Sequence, residues 1–120
     1  MDFNFKSTTP IYLQVAHQLE EGILQEIFKE RGQAPSTNEI SKTYKINPTT
    51  VLKGVNLLVE AGVLEKQRGI GMFVCEGAKS HLLKKRKKEF FEVEMARFLT
   101  EAKKLGIAKD ELIELIQRRE

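Results

Sequence analysis

The stretch KINPTTVLKGVNLLVEAG, Lys45 to Gly62, puts Thr49, Thr50, Lys53 and Asn56 on one side of a helix whose other side is apolar. Two hydroxyls, an amide and one ammonium can donate and accept hydrogen bonds and place one positive charge. They contain no nucleophile with a base beside it and no metal-ligand set. Such a set of groups suits recognition rather than turnover. A helix of this size fits the major groove of B-DNA, with its N-terminal half nearest the base edges. The bland alternative is that any surface helix needs a polar face, and the helix alone favours that alternative.

The surrounding elements shift the balance. STNE, from Ser36, is a capping box: Ser36 accepts from the amide three residues on, and Glu39 reaches back to the amide of Ser36. The short helix it starts buries Ile40 and Tyr44. Asn47 then caps the next helix, and Pro48 occupies its first turn, where a missing N–H costs nothing. Val51, Val55, Leu58 and Val59 form that helix's buried stripe, and Gly62 ends it. Two short helices joined by a tight turn make a helix-turn-helix. VLEKQRGIGMFV follows with two β-prone runs around Arg68-Gly69-Ile70-Gly71, a hairpin in the position of a wing.

On this arrangement Ser36, Thr37, Asn38, Lys45, Asn47, Thr49, Thr50, Lys53, Arg68 and Gly69 are the candidate DNA contacts. The capped helix starts, Lys53 and the wing would meet phosphates. Asn38, Thr49, Thr50 and Lys53 would read bases. Arg68 fits a phosphate or a minor groove as well as it fits an ordinary exposed turn.

Two further segments complete the chain. Tyr12, Val15, Ala16, Leu19, Ile23 and Ile27 recur at helical spacing after Pro10, and Gly32 and Pro35 break the pattern. Beyond Lys79 a long helix is predicted, since neither Gly nor Pro occurs before Gly106. Phe91, Met95, Phe98, Ala102 and Leu105 step along it as a narrow heptad-like seam. A second helix after Gly106 turns Leu112, Leu115 and Ile116 inward, so the pair folds back as a hairpin. The seam, with Leu112 and Ile116, is the candidate dimerisation surface. The basic run Lys84–Lys88 reads best as a solvated helical face. The fold class is therefore α-rich (α+β): a winged helix-turn-helix with a two-strand wing over residues 8–77, and a two-helix dimerisation hairpin over 78–120.

Composition narrows the function classes. The chain has 120 residues, 41% hydrophobic and 31% charged, and a net charge of +3. Residues 1–77 carry 8 Lys/Arg against 9 Asp/Glu, a net of −1, and residues 78–120 carry 12 against 8, a net of +4. Positive charge is thus local: residues 40–59 hold Lys42, Lys45 and Lys53 and no acid. Cys75 is the one cysteine and only His17 and His81 join it, so neither a disulfide nor a zinc site is expected. Cys75 reads as a buried or edge-strand thiol. RGIGMF follows a helix and opens none, so it is no phosphate loop. No secretory signal and no membrane span are read, and a reduced cytosolic protein without cofactor is the expectation.

PIYLQVAHQLEEGI together with APSTNEISKTYKINPTTVLKGVNLLVEAGVLEKQRGIGMFV, across residues 10–74, resembles the GntR family of bacterial winged-helix repressors. The short tail resembles its YtrA-type subfamily, whose compact C-terminal hairpin serves in dimerisation. The resemblance implies a homodimeric transcription regulator on double-stranded DNA, often controlling genes for membrane transporters. Three departures stand out. Asn38 replaces the arginine of the family's PSxRELA segment, Lys53-Gly54-Val55 replaces Arg-Ala-Tyr in the recognition helix, and GQAPS replaces GDxLPS. Losing arginine removes bidentate guanine recognition, and Asn38 can instead read adenine. The sequence names neither operator nor effector; the tail is too short for a separate ligand domain, which leaves the seam between subunits to hold anything small. The rival reading is a winged helix used as a protein-interaction module, supported by the near-neutral N-terminal part and the two missing arginines.

Overall fold

The computed structural model describes residues 1–119 and divides into two compact units, 1–83 and from Lys84 onward. Each is described by itself.

In the first unit, α1 (Ile11–Leu24) starts at Pro10, whose carbonyl accepts from the amides of Leu13 and Gln14. Its Val15, Ala16, Leu19 and Ile23 are buried. The stripe predicted to reach Ile27 stops at Leu24, and Ile27 is 68% exposed. The cause is Gly22. The amides of Ile27 and Phe28 both donate to its carbonyl, and the Phe28 ring packs where a Cβ at position 22 would be. Glu26 accepts a left-handed backbone (φ 59°) to allow this turn, so Phe28 joins the core in place of Ile27.

α2 (Thr37–Tyr44) begins with both halves of the predicted capping box, Glu39 N to Ser36 Oγ at 3.0 Å and Ser36 N to Glu39 Oε1 at 3.4 Å. Lys45 leaves it in the left-handed region (φ 55°), and the Ser41 hydroxyl donates to the Ile46 carbonyl at 2.6 Å across the turn. α3 (Pro48–Glu60) follows at once, burying Val51, Gly54, Val55 and Leu58 against the same core. Gly62, at φ 75°, turns the chain out of it, as predicted.

β2 (Leu64–Gln67) and β3 (Gly71–Val74) form the wing as an antiparallel pair in the register Leu64↔Val74 to Gln67↔Gly71. A third strand joins them. β1 (Gln33–Ala34) pairs with the other edge of β3, giving the order β1-β3-β2. Two residues carry no periodicity, so nothing local announced it. Leu64, Met72 and Val74 are buried under the sheet. α4 (Ala78–Glu89) begins in this unit, where Ala78 and Leu82 belong to its core.

In the second unit the predicted unbroken helix is interrupted: Phe90–Met95 is a π-helical segment, followed by α5 (Ala96–Lys104). Wider π turns shift the angular phase of whatever follows, so the seam does not keep one heptad register. Gly106 (φ 73°) ends α5, and α6 (Lys109–Arg118) starts after Ala108. Leu99, Ala102, Ile107 and Leu112 line one cleft, where the start of α6 returns toward α5. The inward face expected of α6 is not formed. Leu112 is half-buried, while Leu115 and Ile116 are exposed, the latter by 64%. Ala102 alone of the seam is buried, and Phe91, Met95, Phe98 and Leu105 are exposed.

Candidate nucleic-acid interface

α3 is held by its buried stripe, and what remains outside is the N-terminal turn and the polar side. Asn47 Oδ1 accepts from the Thr49 amide at 2.8 Å, which satisfies one of the orphan donors of the first turn. Its Nδ2 is left to donate outward. Ser36 is used in the same way, its oxygen accepting in the capping box while its hydroxyl proton stays available. Both residues are therefore helix caps whose side chains each keep one donor unused by the cap. Asn38, Lys45, Thr49, Lys53, Arg68 and Gly69 are exposed, and Thr37 and Thr50 half-buried.

The wing tip is a tight turn in which the Ile70 amide donates to the Gln67 carbonyl at 2.9 Å. Gly69, third of the four residues, has φ 78°, the conformation that favours glycine there. Arg68 is thereby carried at the tip. The wing is also tied back to α3: Lys66 Nζ donates to Asn56 Oδ1 at 2.8 Å. Lys66 is on the same side of β2 as Leu64, the side turned to the core, so its stem runs toward α3 and its charge meets Asn56. Asn56, on the polar side of α3, is thus engaged within the protein.

One contact had no sign in the sequence. Lys53 Nζ sits 4.0 Å from the centroid of the Tyr12 ring, on α1. Tyr12 read as part of a buried stripe; it is half-buried and places its ring beneath the cation. Periodicity along one helix cannot show a partner forty residues away. Among the described residues no group of three His, Cys, Asp or Glu side chains gathers to hold a metal ion, and no helix is long and apolar enough to cross a membrane.

A capped helix with a free polar N-terminal half, preceded by a short capped helix and followed by a wing, is an arrangement shared with known proteins. Residues 11–74 match the gntR family of bacterial regulatory proteins. The chain belongs to the GntR family. It is a DNA-binding transcription regulator of winged helix-turn-helix fold. The transcriptional repressor YtrA of Bacillus subtilis is 31% identical to it over 112 residues, 93% of this chain and 85% of YtrA, so the likeness includes the short tail of this GntR protein. A GntR-family transcriptional regulator from Bacteroides thetaiotaomicron has the same fold, with a TM-score of 0.71 and 34% identity over 92% of this chain and 99% of that one. AraR(DBD) in complex with an operator, ORR3, covers 62% of this chain and 90% of its own, at 25% identity and a TM-score of 0.55.

Proposed function

We propose that this GntR protein is a homodimeric, cytoplasmic repressor without catalytic activity, and that it binds a palindromic operator through α3, the start of α2 and the wing. The carrying observation is that Thr49 and Lys53, on the outer side of the N-terminal half of α3, are exposed and that no acid occurs over residues 40–59. Thr49, Thr50 and Lys53 would enter the major groove, Asn38 would offer its amide to an adenine, and Arg68 would reach a neighbouring phosphate or minor groove. Ser36, Thr37, Lys45, Asn47 and the Gly69 backbone would contact the phosphates. Two copies joined by their tails would present α3 to half-sites about one helical turn, ~34 Å, apart. Repression is inferred by analogy with the repressor YtrA. Control of transporter genes follows from the subfamily resemblance.

The test is selection of bound fragments from a genomic pool, then titration of the best fragment and of a random duplex at physiological salt. The reading expects discrimination of at least about a thousandfold and a palindrome in the recovered sequences. Equal affinity for both duplexes would instead favour an interaction module without an operator.

A further inference from the structure

We propose that Tyr12 is a positioning residue of the DNA interface, whose ring fixes the Lys53 ammonium in the place from which it meets DNA. The inference rests on the functional reading above and assigns a role on α1, outside the helix-turn-helix and the wing. Lys53 is the only Lys or Arg in α3, so that helix brings a single charge to the groove. A lysine carries its charge on four methylenes, and an exposed lysine ordinarily samples many rotamers. Here the Nζ is 4.0 Å from the Tyr12 ring centroid, within the range where the ring's negative face attracts a cation. One side of the ammonium is occupied by the ring, and its N–H groups remain to donate on the other.

The backbone is built for this approach. Gly54, next to Lys53, lies so close to α1 that a Cβ there would clash with the Tyr12 carbonyl oxygen and stand 3.0 Å from Val15 Cβ. The glycine thus brings α1 against α3 at the residue whose ring holds the neighbouring lysine. The contact and the glycine are independent observations that converge on one position. Preorganising a charged side chain lowers the ordering cost of binding, so the ring acts on affinity without touching DNA itself.

The experiment is a double-mutant cycle on the selected operator, with the full chain and a random duplex alongside. Tyr12→Phe keeps the ring and is expected to bind as the native protein does. Tyr12→Leu is expected to weaken operator binding about two- to fivefold. Tyr12→Leu combined with Lys53→Ala should bind no more weakly than Lys53→Ala alone. Additive losses, or full affinity in Tyr12→Leu, would overturn the assignment. A readout on the native chain covers the case in which Tyr12→Leu does not fold: the Lys53 ε-methylene protons should show an upfield ring-current shift that persists when operator is added. Their return to ordinary positions in the complex would mean that the lysine leaves the ring to bind, and the proposal would fall. If the native chain does not discriminate operator from random DNA, the functional reading fails and takes this assignment with it. If it discriminates but the cycle shows no coupling, only the role of Tyr12 fails.

Discussion

Gly54 and Lys53 are adjacent and do opposite things, one closing the space between two helices and the other projecting from it. In an open helix, replacing glycine by alanine stabilises by about 1 kcal/mol through backbone entropy. At position 54 the new methyl would meet a backbone carbonyl, which cannot rotate aside. Overpacking of that kind costs about 1–3 kcal/mol and forces α1 away from α3. The clash wins, so Gly54→Ala should lower the thermal midpoint at fixed protein concentration; an unchanged or raised midpoint would show that α1 yields freely. Lys53→Ala should leave stability nearly intact, weaken operator binding and flatten the salt dependence by about one unit of slope if the ammonium meets a phosphate. A titration series over salt concentration checks it, and an unaltered slope would limit Lys53 to base edges. Cys75 is a third residue-scale case. Burial first, then the nearby Glu65 carboxylate, push its thiol pKa up. The fold therefore holds the thiol proton more tightly than the unfolded chain does. The stability this confers is intact below the ordinary thiol value and is lost as pH rises through the folded one. At pH 8 Cys75 should react with a disulfide reagent more slowly than a free thiol does, and recover the ordinary rate in denaturant. Native-state reactivity equal to that of glutathione would contradict the shift.

At the scale of elements, α2 and α3 were legible because their starts are written locally. Ser36 with Glu39, and Asn47 with Pro48, specify cap geometry within four residues, and both caps form. The wing was legible for the same reason, with Gly69 at the turn position that needs positive φ. What escaped depends on partners far along the chain. The end of α1 is set by Phe28 packing on Gly22, β1 exists only because β3 has a free edge, and the Lys66–Asn56 bond joins a strand to a helix. The π-helical segment escaped because apolar steps of three and four residues read alike in either helix type. Within the interface, exposure of Asn38, Thr49, Lys53 and Arg68 followed from local pattern, whereas the Tyr12 contact did not. The caps lead to a prediction that belongs to this scale. Asn47→Ala should cost about 1 kcal/mol, visible as a lower denaturant midpoint with an unchanged slope. Asn47→Asp retains the acceptor, so it should restore most of that stability while placing a negative charge where a phosphate is proposed to sit. Recovered folding with poor DNA binding would separate the cap's two roles; equal DNA binding by Asn47→Asp and native protein would remove position 47 from the phosphate contacts.

For the whole molecule the question is what covers the tail. The second unit buries little besides Ala102, and leaves Phe91, Met95, Phe98, Leu105 and Ile116 in solvent. An isolated chain rarely leaves so many large apolar side chains uncovered without a partner for them. The proposed second copy would also account for the DNA-binding half, because one α3 would read a half-site and a palindromic operator needs two. Joining two copies by their tails would turn the second docking event into an intramolecular one, at an effective concentration set by the tail geometry. Phe98 is 53% exposed and lies within the seam, so a charge there should cost the assembly without costing the fold of the winged helix. Phe98→Glu is accordingly expected to sediment at the 13.8 kDa of one chain, and the native protein, on the proposed assembly, at twice that mass. Its far-ultraviolet circular dichroism should remain helical. Affinity for the full operator should drop by about a hundredfold or more, and affinity for an isolated half-site should stay as it was. If Phe98→Glu sediments as a dimer and binds the full operator normally, another surface joins the subunits. If it is monomeric yet still binds the full operator like native protein, the two half-sites do not depend on the tails to be read together.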